Sequence, residues 1–133
     1  GTYLHGTGIG VVVHVEGPDT EAVRTLATDV AMHAAASAPQ YLTRDEVPQA
    51  AIDAERDIYV KQVEDKPEQI RGKIADGKIG KWFSEIALVE QGWIFAKDRL
   101  GKDVTIGEYA KMTGKDAGTD VAVRGFARFS VKG

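Results

Sequence analysis

Two stretches of alternating hydrophobicity, one near each end of the chain, constrain the fold more than any other feature. From Ile9 to Glu16, the positions Ile9, Val11, Val13 and Val15 are apolar while Gly10, His14 and Glu16 are not. Period two is the signature of a strand with one face on a core. From Val121 to Val131 the odd positions Val121, Val123, Ala127, Phe129 and Val131 are apolar, and Arg124, Arg128 and Ser130 point the other way. A short strand, Tyr3-Leu4-His5, precedes the first stretch across Gly6-Thr7-Gly8, whose glycines supply the positive φ of a tight hairpin. The final strand is expected to pair with this opening hairpin.

Between the strands the period changes to helical. Asp19 is placed to cap a helix in which Val23, Leu26, Ala27, Val30, Ala31 and Ala34 share a face, ending near Ala38-Pro39. Pro48 opens a charged second helix to about Val63, with Ile52, Ile58, Tyr59 and Val63 as candidate buried positions. Lys66-Pro67-Glu68 opens a third, with Ile70, Ile74, Trp82, Phe83 and Ile86 as its apolar stripe. Gly72, Gly77 and Gly80 each cost that helix about 1 kcal/mol against alanine, which predicts a kink or break near Gly77. Thr105 and Glu108 have capping-box spacing ahead of a short helix that Gly114 would close. The expected class is α+β: a small antiparallel sheet, the N-terminal hairpin plus the C-terminal strand, covered on one face by three to four helices. The 133 residues fit one domain, with no repeat and no linker that would divide them.

Seventeen basic against twenty acidic side chains give a net charge of -3, without the cationic footprint that binding a phosphate backbone requires, so no direct nucleic-acid contact is expected. No apolar run approaches the roughly 18 residues of a membrane span, and no membrane association is expected. The absence of cysteine removes disulfides, thiol nucleophiles and thiolate metal sites, and is compatible with a reducing compartment.

Motifs that suggest chemistry have simpler structural readings. Gly6-Thr7-Gly8-Ile9-Gly10 looks like a phosphate loop, but a strand follows it where a helix N-terminus is needed. Gly72 to Lys78 has P-loop spacing up to its lysine, but Ile79 replaces the hydroxyl that would hold magnesium. His5, His14 and His33 lack metal-ligand spacing, so no metal and no cofactor are expected; His14 reads as solvated and His33 as a packing histidine. Ser37, Ser84 and Ser130 have no elbow-type glycine setting, and no nucleophile stands out. Trp93, after Gly92, reads either as core or as an exposed contact residue.

The order of several segments resembles one family. Tyr3-Leu4-His5 before Ile9-Gly10-Val11-Val12-Val13, Ala31-Met32-His33-Ala34-Ala35, and Pro39-Gln40-Tyr41-Leu42 before Val47-Pro48 come first. They continue through Glu55-Arg56, Lys66 to Ile70, Lys73 to Lys78, Lys81-Trp82-Phe83, Leu88 to Gln91, Thr105 to Glu108 and Arg124 to Val131. Over nearly its whole length the chain resembles translation elongation factor Ts, in particular the C-terminal part of the core, sometimes called the dimerisation domain. The resemblance implies a cytoplasmic or organellar-matrix protein that binds elongation factor Tu and promotes GDP release, and that is not an enzyme. It also implies that His5, in the Tyr-x-His segment, contacts the partner, with Gly6 and Ile9 beside it; Trp93, by its place in a loop after Gly92 rather than by the resemblance, is the further contact candidate. The family's N-terminal helical domain and its Thr-Asp-Phe-Val segment do not occur here; both are expected upstream of Gly1, in a longer parent protein. Gly92-Trp93 stands where the family usually has proline after Glu-Gln, so that loop is expected to be shaped differently. The competing expectation is a self-association or scaffolding module that forms a homodimer through the sheet or Trp93.

Overall fold

The structure, a computed structural model, describes residues 2–5 and 8–130. The elements run β1 (Thr2–His5), β2 (Ile9–Glu16), α1 (Glu21–Ser37), a 3-10 turn (Arg44–Glu46), α2 (Gln49–Gln62), α3 (Glu68–Ile86), a second 3-10 turn (Leu88–Glu90), α4 (Ala96–Leu100), α5 (Ile106–Ala117) and β3 (Ala122–Ser130). The class is α+β, as expected. The three strands make one antiparallel sheet in the order β1-β2-β3, so the last strand pairs with the opening hairpin, Ile9 opposite Ser130 and Glu16 opposite Ala122.

β2 buries one face as its alternation requires. Val11 and Val13 are buried, Ile9 and Val15 are half-buried on the same core, and Val12 and His14 are exposed. β3 departs from its expected phase. His14 pairs with Gly125 but Val15 pairs with Val123, so Arg124 is the extra residue of a β-bulge. One extra residue turns every later side chain to the other face. Val121 and Val123 are buried, but beyond the bulge Phe126 and Arg128, opposite Val13 and Val11, face the helices. Ala127 and Phe129 face away, and Phe129 is 58 % exposed.

The inward turn of Arg128 serves α1. Its Nε and Nη2 donate to the carbonyl of Ala35 at 3.3 and 3.1 Å. Four residues beyond Ala35 stands Pro39, which has no N–H to offer that carbonyl, so the arginine supplies the missing donor at the negative end of the helix. At the other end the N-cap is Thr20, whose Oγ1 accepts the Val23 N–H at 3.3 Å; Asp19 instead pairs with Arg24. Leu26, Val30, Ala31 and Ala34 of α1 are buried in the main core with Leu88, Ile106 and Ala110.

α2 and α3 build a second, smaller cluster in which Val47, Ile79, Phe83 and Ile86 are buried and Ile52, Tyr59 and Trp82 are half-buried. Ile58 and Ile70 are exposed, so the sequence stripe overstated the buried face. α3 runs without a break through all three glycines. Packing against α2 and the Arg56–Asp76 ion pair hold it together where propensity alone favours a kink. α5 has the expected capping box but continues past Gly114 to Ala117, with Gly118 at φ 73 as its cap. A Cβ on Gly114 would stand 2.7 Å from the Thr119 carbonyl oxygen and 3.0 Å from the Val121 nitrogen. That glycine therefore marks a close approach of the returning chain, not the helix end.

Candidate partner-binding surface

The residues singled out in the sequence fall in two places. His5 ends β1 and is the cross-strand partner of Ile9, the first residue of β2, so the backbone of both lies at the hairpin end of the sheet. Gly6 lies outside the described residues. The Ile9 side chain is half-buried against the main core. Trp93 is 5 % exposed and stacks on Tyr109, ring centroids 4.1 Å apart at 25°. The core reading of Trp93 is the one realised; as folded, its indole offers no contact surface, and the residue its loop exposes is Ile94, at 45 %. The pairing of an apolar ring with a second ring is the signal that tells such a core tryptophan from a contact residue, and Tyr109 lies too far along the chain for local pattern to reveal it.

Two polar clusters fix this loop from below. Asp29, on α1 and 3 % exposed, accepts the Tyr109 hydroxyl at 2.6 Å and faces the Arg99 guanidinium at 3.4 and 3.5 Å. Arg99 in turn lies 5.7 Å above the Trp93 ring and 5.9 Å from Phe95. Burial first, then the bond to Asp29, pushes the Tyr109 phenol well above its ordinary value. His33, also on α1 and fully buried, bonds Gln91 Oε1 through Nε2 at 2.9 Å and accepts the Ile94 N–H on Nδ1 at 3.2 Å. Burial pushes its basicity down, against a smaller upward effect of the Gln91 bond. A packing histidine was legible in the sequence; that it spans to a loop some sixty residues later was not.

The outer face of the sheet is less covered. Val12 and Phe129 are exposed there, with Gly10 opposite Phe129 and Gly125 opposite His14. Beside the 3-10 turn, Arg44 makes two bonds to the Glu90 carboxylate, at 2.8 and 2.5 Å, and its guanidinium lies 4.6 Å over the Phe83 ring. This clamp joins the first 3-10 turn to the second and to α3. A groove of about 350 Å³ lies between residues 39–42 and β3.

Among the described residues there is no group of three or more histidines and carboxylates that could hold a metal ion, and no helix is long and apolar enough to cross a membrane. The Ser84 hydroxyl donates to the Lys81 carbonyl within its own helix, and His14 is exposed on the opposite side of the fold from the His33 cluster's core.

The family model described as Elongation factor TS matches residues 1–133. Among curated relatives, the Elongation factor Ts of Halothermothrix orenii is 38 % identical over 132 residues, which cover 97 % of this chain and 40 % of the relative. That of Deinococcus deserti is 42 % identical over 132 residues, covering 97 % and 44 %. That of Thermodesulfovibrio yellowstonii is 37 % identical over 136 residues, covering 98 % and 66 %. The chain thus spans between 40 % and 66 % of the length of these relatives.

Proposed function

Because the chain belongs to the elongation factor Ts family, we propose that it acts in translation elongation by binding elongation factor Tu and promoting GDP release, as part of a guanine-nucleotide exchange factor. The observation that carries this reading is the family match along all 133 residues, not any one local motif. The action requires no bond-making step. A factor that binds the empty GTPase more tightly than the GDP-filled one must, by reciprocity, weaken GDP binding by the same factor. The contact residues we assign are His5, Gly6 and Ile9; the backbones of His5 and Ile9 pair at the hairpin end of the sheet, and binding residues concentrate where the strands of a rigid scaffold meet their connections. Trp93 contributes from beneath, by holding the loop that exposes Ile94.

The test is release of fluorescent GDP from loaded elongation factor Tu on adding the chain. A faster release supports the reading, and no detectable binding by titration contradicts it. One observation favours a second reading: Val12 and Phe129 form an exposed apolar pair on the outer sheet face, a surface suited to self-association. Sedimentation at several concentrations separates the two, since a strict monomer that still binds the GTPase excludes a purely scaffolding role.

A further inference from the structure

β3 is an edge strand: among the described residues nothing pairs with its side away from β2. It is nine residues long, and alternate residues of an antiparallel edge direct N–H and C=O outward, unpaired. Beside this edge runs the groove of about 350 Å³, lined by the five consecutive residues Arg124 to Arg128 and, opposite them, by Pro39 to Leu42 with Glu46. Consecutive strand residues point to opposite faces, so a groove lined by all five follows the edge itself for about 13 Å and does not lie over one face.

The opposite wall does not compete for that edge. The N–H groups of Gln40 and Tyr41 donate to the Ile86 carbonyl at 2.9 and 3.0 Å, and the Leu42 N–H to the Glu46 carboxylate at 2.7 Å. The carbonyls of Tyr41 and Leu42 accept from Leu88 and Val89. The wall is thereby tied to α3 and the segment after it, with its N–H groups engaged.

Charge selects what fits. With the Arg128 guanidinium committed to the Ala35 carbonyl and the Glu46 carboxylate engaged by the Leu42 N–H, Arg124 is the charged side chain of the lining left to meet a ligand. Among the described residues Arg124 is held by Glu16 alone, at 3.5 Å and with both side chains more than half exposed, a pair weak enough to exchange for another. A Cβ on Gly125 would meet nothing within 4 Å, which leaves the groove open next to the bulge.

We propose that this groove takes one extended segment of elongation factor Tu, added as a strand to the free edge of β3, with an acidic side chain set against Arg124. The inference rests on the exchange-factor reading and names the surface that would serve it. A second copy of this chain is the poorer occupant, because the wall at Pro39–Leu42 stands opposite the edge, where the further strands of a second sheet would have to pass.

The experiment is amide hydrogen exchange of the chain alone and in complex with nucleotide-free elongation factor Tu, alongside titrations of Arg124→Glu and Arg124→Ala. Melting curves first establish that both variants fold. The expected result is slowing of alternate amides within residues 124–130 by about tenfold or more in the complex, with affinity lowered about tenfold by Arg124→Glu and less by Arg124→Ala. A complex in which those amides exchange as fast as in the free chain overturns the inference and leaves the exchange-factor reading standing, as does full-strength binding by Arg124→Glu. No complex at all overturns both.

Discussion

The Nδ1 of His33 accepts the backbone N–H of Ile94 at 3.2 Å, which ties the middle of α1 to the loop that carries Trp93. A backbone N–H can only donate, so Nδ1 is unprotonated and the ring proton sits on Nε2, donated to Gln91 Oε1. Gln91 passes the chain on, its Nε2 donating to the Glu85 carbonyl at 2.7 Å. Protonating the ring would set two N–H groups against each other at Ile94.

The first prediction concerns pH. Burial lowers the His33 pKa in the folded state below its ordinary 6.5. The unfolded chain then binds more protons than the folded one between those two values, so stability rises with pH in that window and is lost as pH falls from 6.5 through the lowered folded value. Melting temperatures measured from pH 8 to 5 should drop below pH 6.5, and His33→Gln should flatten that part of the profile. An equal slope in the variant contradicts the assignment.

Tyr109→Phe removes the donor that serves a buried carboxylate. The bond to Asp29 at 2.6 Å is charge-assisted, and its loss should cost about 1.5–3 kcal/mol. Arg99→Ala removes the second partner of Asp29, but that guanidinium is half exposed and its contacts are 3.4 Å or longer, so the cost should be about 1 kcal/mol or less. Denaturant unfolding of both variants checks the order. The raised phenol pKa adds a sign: stability should fall as pH climbs above 10, where the unfolded tyrosine ionises and the folded one does not.

Gly114→Ala should destabilise by about 1–3 kcal/mol, because the new methyl group meets backbone atoms of Thr119 and Val121 that cannot rotate away. If Gly114 were merely a helix end, alanine there would be nearly neutral. Gly77→Ala is the control: a Cβ there meets nothing within 4 Å, and a gain of up to about 1 kcal/mol is expected from helix propensity.

Trp93 separates a packing role from a contact role. Trp93→Ala should cost about 3–5 kcal/mol in unfolding experiments. Trp93→Phe should cost far less, since it keeps a ring against Tyr109 and removes an indole N–H that is buried without a hydrogen-bond partner among the described residues. Partner affinity should then follow fold stability in the two variants; a loss of affinity in a fully stable Trp93→Phe would make the indole a direct contact.

The parts of the fold that local pattern could specify were legible: β2, α1, the capping box at Thr105, and the pairing of the chain's two ends. What escaped was decided at a distance. The bulge at Arg124 exists only in the register between β2 and β3, so the even and odd positions of Val121 to Val131 carried no sign of it, and Phe129 and Arg128 were each assigned the wrong face. Gly77 looked like a break because propensity is a local quantity, whereas the stability of α3 comes from its contact with α2. Thr20 and Asp19 are both good caps, and only the 3.3 Å bond to Val23 decides between them. Of the proposed contact residues, the sequence placed His5 and Ile9 together on one hairpin; it could not show that Tyr109 would cover Trp93.

The central claim is a preference between two states of one partner. It is tested most directly by titrating this chain against elongation factor Tu with its nucleotide removed and again with saturating GDP, at one salt concentration. The account predicts tighter binding to the empty GTPase, with GDP affinity reduced by the same ratio when the chain is bound. Identical affinities for the empty and GDP-filled forms would contradict it.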